Sequence, residues 1–307
     1  MEASRIFVAI LAIPLACAQP CAHWGEAVEI GELDASRIIE ASGIAVSKQF
    51  PGRLYHLNDG ADNRLFITDH SGKSLHTQSI GSVRLWDLES MSLGPCPDEG
   101  TCIFLVDSGD NKRFRGSIRV FIIREVERWQ TPTVPIATLV VKYPDGIHDA
   151  EGFAIHPNGD FYMLTKEGDY GIYQALSARM YRLPNQVWRA GGEDLTFEFM
   201  GEIDFPELAT PESDFLGELV TGLDISPDGK RFLALTYQHA YEFEMDLSTV
   251  GTLPDLAGLR ASMTPILLKR QAQQEAIAYL PDGKSFLYST ERRNTARAPL
   301  LKVSCAP

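Results

Sequence analysis

The chain has 307 residues, 44% apolar and 22% charged, with a formal net charge of −13 at neutral pH. That length is enough to bury a full core in one large domain or two small ones, and the composition is that of an ordinary globular chain, neither disordered nor membrane-embedded. The acidic excess repels nucleic acid and anionic membrane surfaces, which argues against both as partners.

Residues 1–5 carry one basic side chain, Arg5, and residues 6–18 form an apolar stretch too short to span a bilayer, ending in the small-x-small triplet Ala16-Cys17-Ala18. We expect a secretory signal peptide, residues 1–18, cut after Ala18. Acylation at Cys17 is the weaker alternative, because Pro14 stands where lipoprotein signals carry a large aliphatic residue. The mature chain, 19–307, is expected to be one domain, secreted or periplasmic, with no membrane span, and a monomer. Export leaves Cys21, Cys96, Cys102 and Cys305, an even number that suggests two disulfides in an oxidising compartment. Cys96 and Cys102, in "GPCPDEGTC", can staple one loop; Cys21 and Cys305 would then join the two ends of the chain.

In chain order, the β-rich run "WGEAVEIGEL" (24–33) comes first and is followed by a hairpin pattern that recurs five times. The clearest copies are "EGFAIHPNGDFYMLTKE" from Glu151, "TGLDISPDGKRFLALTYQ" from Thr221 and "EAIAYLPDGKSFLYSTER" from Glu275, each a strand, a Pro-Asn/Asp-Gly turn and a second strand. Looser copies start at Ser42 and Glu89. Each hairpin is followed by a third β-rich run ("RLFITD", "SIRVFIIREV", "ARMYRLP", "HAYEFEMDL", "PLLKVSC"), and four of the five by a fourth ("KSLHTQSI", "ATLVVKY", "LTFEFMGEIDF", "TPILLK"). Four antiparallel strands per repeat, with no convincing helix between them, predict an all-β five-bladed β-propeller. Six blades are the alternative, since the spacings after Glu89 and Glu151 leave room for extra strands. The last repeat lacks one strand, which the run at 24–33 can supply. That closure would bring Cys21 beside Cys305, so strand count and cysteine count point to the same seam.

In such a ring the loops into strand one and out of strand two share a face. One column of residues there is Ser42, Glu89, Glu151, Thr221 and Glu275; two residues earlier stand Glu40, Asp87, Asp149, Leu219 and Gln273. The ends of the second strands add Asn58, Asp107, Thr165, Thr236 and Thr290, followed by Asp59, Ser108, Lys166, Tyr237 and Glu291. Polar strand ends can simply meet water or bond neighbouring blades. Several acids in a narrow channel, however, need a cation, protonation or basic partners. Hard oxygen ligands suit calcium or magnesium, and the expected ligand set is Glu89, Glu151, Asp224 and Glu275. Asp224 is included because the other blades hold Ala45, Ser92, Ala154 and Ala278 at its position; it is a ligand or the partner of a buried base. Zinc fits less well, since the cysteines are committed and only His148 and His56 fall near this mouth. His148 points away from Asp149 and Glu151 along an extended strand, and a hydrogen-bonding spacer between blades is its other reading. No G-x-S-x-G or H-E-x-x-H motif is present. Lys112, Arg113 and Arg115 from "DSGDNKRFRGS", with Lys166, Arg292 and Arg293, form a basic group that is either solvated surface or a recogniser of an anion.

The segments "DLESMS", "DSGDNKRFRGSIRVFIIREVE", "YPDGIHDAEGFAIHPNGDFYMLTK" and "EAIAY" together resemble a family of exported bacterial β-propeller proteins of unassigned activity, with D-W-E-D, G-D-N-x-x-R and Y-P-D-G-x-H-D-A-E segments. Leu88 and Ser90 depart from that pattern. The resemblance implies a fold and an address but no reaction. More distantly, the acid-lined mouth is similar to that of calcium-dependent propeller hydrolases of the lactonase, phosphotriesterase and phytase-like groups. Three readings stay open. The first is a calcium-dependent hydrolase of a small anionic ester or lactone, with Asp149 or His148 as base and Lys166, Arg113, Arg292 and Tyr237 binding substrate. The second is a non-catalytic module for a cell-envelope ligand or protein, and the third a scaffold.

Overall fold

The computed structural model describes residues 21–192, 195–206, 208, 216–292 and 297–306. The expected signal peptide and Arg293 lie outside them. Five antiparallel four-stranded sheets are arranged around an axis, each following the sequence outward. Blade I is Ala41–Val46, Arg53–Asn58, Arg64–Asp69 and Ser74–Ser79; blade II is Leu88–Pro95, Thr101–Asp107, Ile118–Arg124 and Ala137–Lys142. Blade III is Ala150–Ile155, Phe161–Thr165, Ala178–Leu183 and Glu198–Ile203; blade IV is Val220–Ile225, Phe232–Thr236, His239–Phe243 and Met263–Leu267. Blade V takes Gln274–Tyr279, Ser285–Thr290 and Pro299–Ser304 from the end of the chain and its outer strand, Val28–Glu32, from the beginning. The inner strands touch in the cyclic order I, II, III, IV, V, I, so the ring is closed.

Apolar packing lies in the seams between blades rather than on the axis. Separate clusters seal each neighbouring pair: Tyr55 and Leu57 against Met91 and Leu105, Phe104 against Phe153 and Phe161, Leu164 against Leu223, Leu235 against Ile277, and Ile44 against Ala276 and Leu300. Inner strands are therefore buried on both faces while their ends stay free to carry polar groups.

Both disulfides form as expected, with Cα–Cα distances of 5.5 Å for Cys21–Cys305 and 5.0 Å for Cys96–Cys102. Cys21–Cys305 clamps the shared blade V, where Trp24 also bridges to Cys305 and Val28–Glu32 pairs with Pro299–Ser304. Replacing both cysteines by serine should cost about 2–4 kcal/mol, since the bond closes nearly the whole chain into a loop. The check is the denaturation midpoint of the double variant beside that of the oxidised protein.

Two features differ from expectation. The connections to the outer strands of blades III and IV contain short helices, Asn185–Ala190 and Leu256–Ser262. The first starts where Asp160 Oδ1 accepts from Asn185 N and stops at Gly191, whose φ of 73° favours glycine. It inserts Trp188, which stacks on Phe161 with ring centroids 4.8 Å apart. The run at 195–205 is also not one strand: Leu195–Thr196 adds in parallel to the edge of blade II, and only Glu198–Ile203 completes blade III. These insertions, not a sixth blade, account for the long third repeat. No helix among the described residues is long and apolar enough to cross a membrane.

Candidate metal centre

Each inner hairpin slips register at the same place: between Ala41 and Gly43, Leu88 and Ser90, Ala150 and Gly152, Val220 and Gly222, and Gln274 and Ala276. The residue left unpaired is Ser42, Glu89, Glu151, Thr221 or Glu275, so the first column of the sequence is a ring of β-bulges. A bulge re-aims a side chain at the cost of one ladder position. A second device holds the neighbouring column. The N–H of Asp59, Gly109, Lys166, Tyr237 and Glu291 donates to the carbonyl of Glu40, Asp87, Asp149, Leu219 and Gln273 respectively. Backbone geometry alone thus brings the ends of strand two to the start of strand one.

The small members of the ring hold blades together. Ser42 Oγ donates to Leu88 O at 3.4 Å and Thr221 Oγ1 to Gln274 O at 2.8 Å, each reaching the next blade. The acidic members face a mouth cavity of about 380 Å³, lined among others by Asp59, Glu89, Glu151, Lys166, Tyr237 and Glu275. Two of these wall residues, Asp59 and Glu89, cluster with Asp87: one oxygen from each lies within 4.8 Å of the other two. With calcium–oxygen distances of about 2.3–2.6 Å, one cation can bridge oxygens about 5 Å apart. Asp87 Oδ2 and Glu89 Oε1 press on Gly109 so closely that a Cβ there would lie 2.5 Å from both. Asp59 Oδ1, Glu151 Oε2 and Asp149 Oδ2 are buried without a hydrogen-bond partner among the described residues.

Two basic groups near the triad, Lys166 and Arg115, are paired with other carboxylates, and their charges still lower Glu89 and Asp87 respectively. Lys166 Nζ donates to Glu151 Oε1 and, at 2.7 Å, to Tyr237 OH, which in turn donates to Glu275 Oε1 at 3.2 Å. Arg115 is buried against Asp107 at 2.8 Å and donates to the carbonyls of Gly109 and Asp107. Asp59, Asp87 and Glu89 thus face one another, and their acidities record it. Burial, then the charges of Asp87 and Glu275, push Asp59 up to about 7. Burial, then Glu151, Asp59 and Glu275, hold Glu89 well above the carboxylate range, and burial also raises Asp87. Burial takes Glu151 to about 8 despite Lys166, and Glu275 to about 8 with Glu291 beside it. Burial alone would lower Lys166, but Glu151, Tyr237 and Glu275 outweigh it and keep it well above an ordinary lysine.

Of the expected ligands, Glu89, Glu151 and Glu275 meet at this mouth, whereas Asp224 does not. Three residues along an extended strand from Thr221 is about 10 Å, and Asp224 lines a cavity at the other end of the channel. Asp59 and Asp87, expected at the mouth but not as ligands, supply two of the three clustered carboxylates. Asp149 is buried, its Oδ1 accepting from Asp110 N at 2.7 Å, and burial raises it. His148 faces away: Nδ1 meets Glu167 Oε1 at 2.7 Å and Nε2 meets Asp145 Oδ1 at 3.3 Å. Arg113 pairs with the same Glu167 at 2.5 Å on the rim, and Arg292 N donates to Ile39 O. Asn111, from the "DSGDNKRFRGS" stretch, and Tyr170 and Arg270 also line the mouth; the loops of Tyr170 and Arg270 carry no repeat signature that marks them.

Fold and site together define a five-bladed β-propeller with a partly buried acidic triad at one mouth of its channel. No family model matches the sequence, and neither does any curated protein. Among solved structures, the putative oxidoreductase (glucose dehydrogenase) of Thermus thermophilus is similar at a TM-score of 0.50 and 13% identity, over 92% of this chain and 100% of that one. Kuenenia stuttgartiensis hydrazine synthase gives a TM-score of 0.45 and 12% identity, over 85% of this chain and 70% of that one. At 13% identity the likeness to the first of these concerns the fold alone.

Proposed function

We propose that the mouth binds a divalent cation, Ca²⁺, through Asp59, Asp87 and Glu89, with Glu151 and Glu275 alongside, and that the ion receives a small anionic ligand. The observation that carries this reading is the triad of oxygens within 4.8 Å of one another, while Lys166 and Arg115 are held by Glu151 and Asp107. An all-oxygen set from two adjacent blades suits a hard cation. Lys166 and Tyr237 stand on the cavity wall where an anion would enter, and Arg113 and Arg292 come from the surrounding loops. When bound, the ion would polarise a substrate oxygen and acidify water, the chemistry of ester, phosphoester or lactone hydrolysis. Asp149 is the better base, because both nitrogens of His148 are occupied by Glu167 and Asp145. A non-catalytic module for a cell-envelope ligand is the second reading, favoured by the closed Lys166–Glu151 pair. The two disulfides suit an exported protein.

The test is calcium titration of the chelator-stripped protein, followed by thermal unfolding. At a hundredfold excess over Kd, binding should stabilise by about 2.7 kcal/mol and raise Tm by roughly 5 °C. Glu89→Gln and Asp87→Asn should abolish the rise. Gly109→Ala, which touches no ligand chemically but displaces two of the oxygens, should weaken calcium at least tenfold. A wild-type Tm indifferent to calcium and chelator sinks the proposal; if metal binds, hydrolysis of phosphoester and lactone panels separates enzyme from binder.

A further inference from the structure

At the opposite end of the channel the inner strands end around a second cavity, of about 290 Å³, walled by all five blades. Ile44, Val46, Leu93, Ile155 and Ala278 give it an apolar wall beside a polar share of similar extent, at the lower end of the size range of small-molecule sites. Most of its polar atoms are spoken for. Ser92 Oγ accepts from Ile155 N at 3.2 Å, Ser226 Oγ donates to Asp228 at 2.7 Å, and His156 sits between Gly229 O, Asp246 and Asn158 N. The exception is Asp224.

Asp224 Oδ2 accepts from Tyr279 N at 2.6 Å, latching blade IV to blade V. Ser92, at the equivalent position of blade II, makes the same latch to Ile155 N, the equivalent of Tyr279. A neutral hydroxyl is therefore enough for the latch, and the charge of Asp224 is surplus to it. Burial raises its carboxyl to about 6, with the backbone N–H groups of Tyr279 and Ile225 and then Lys48 opposing the rise, which leaves it largely ionised at neutral pH. Lys48 lines the same cavity, and a carboxylate beside apolar walls is stabilised further by a second cation.

We propose that this cavity is a second binding site, independent of the acidic mouth, for a small organic ammonium ion: the cationic head sits on Asp224 and the apolar body lies against the strand ends of the other blades. The shape and chemistry match an amine on an aromatic or branched aliphatic group.

The test is a titration of the calcium-saturated wild type with benzylammonium, benzyl alcohol and benzoate, followed by calorimetry and by the methyl resonances of Ile44, Val46 and Leu93. Benzylammonium should bind at least tenfold more tightly than the alcohol, with benzoate weakest and the shifts confined to those methyls. Asp224→Ser, which keeps the latch as Ser92 does, and Asp224→Asn should unfold near the wild-type temperature and lose the preference. Equal affinity for amine and alcohol in the wild type overturns the proposal without any variant. So does a preference that survives Asp224→Ser, or one that disappears in Glu89→Gln instead, which would place the amine at the mouth.

Discussion

At pH 9, above the value of about 8 to which burial lifts Glu151, Lys166→Met should destabilise the protein by about 3–5 kcal/mol, the range for removing one member of a buried ion pair. Lys166 Nζ is the donor to Glu151 and to Tyr237 OH, and it lowers the cost of burying both Glu89 and Glu275. Methionine preserves the length of the side chain but leaves Glu151 buried without its donor. Protonation can partly relieve that strain, so the loss should be smaller at pH 5 than at pH 8. Adding Glu151→Gln should recover most of it, because a neutral pair needs no counter-charge. Urea unfolding of the single and double variants checks both statements; a single variant within about 1 kcal/mol of wild type would show that Lys166 is a surface-like group.

The same pair shows how far the sequence can be read. The hairpin register Ala150 to Thr165 and Gly152 to Leu164 leaves Glu151 bulged opposite the strand end that carries Lys166. Sequence columns put both residues at the mouth but assign one to metal and the other to substrate, since a column says which face a residue shares and not which neighbour it bonds. The bulge is likewise invisible in composition, although the small residue after it (Gly43, Ser90, Gly152, Gly222, Ala276) is its trace: a Cβ on Gly43 or Gly152 would meet Leu57 or Leu164 at about van der Waals overlap, 2.9 and 3.0 Å. Blades and closure were legible because Pro-Asn/Asp-Gly turns and period-two strands are local signals, and because the missing strand and the spare cysteines lie at the same ends. Asp224 shows the opposite limit: its identity stands out against Ala45, Ser92, Ala154 and Ala278, but a column of identities does not report depth along the strand. The helix at Asn185–Ala190 is bounded by Pro184 and Gly191, local signals that strand periodicity does not register.

The mouth predicts an inverted pH dependence of stability. Ordinary paired carboxylates stabilise above their unfolded pKa and lose that contribution in acid. Glu151 and Glu275 behave oppositely, because folding raises both from about 4.5 to about 8, and Asp59 rises to about 7. Between those limits the folded state holds protons that the unfolded chain has released, so the contribution is fully present below about pH 4.5 and is lost as pH climbs to about 8. Groups such as Glu167, lowered by His148 and Arg113 against the effect of burial, act only below that window. The metal-free protein should therefore be most stable near pH 5 and should lose on the order of a few kcal/mol by pH 8. Calcium competes for the same oxygens as those protons, so its affinity should climb over the same interval and its stabilisation should be largest at pH 8. Melting curves at pH 5, 6.5 and 8, with calcium and with chelator, separate the two effects: the chelated series should fall with pH while the calcium series stays level or rises. A chelated protein that gains stability from pH 5 to pH 8 would mean that these acids ionise without penalty, and the mouth would then have no need of a cation.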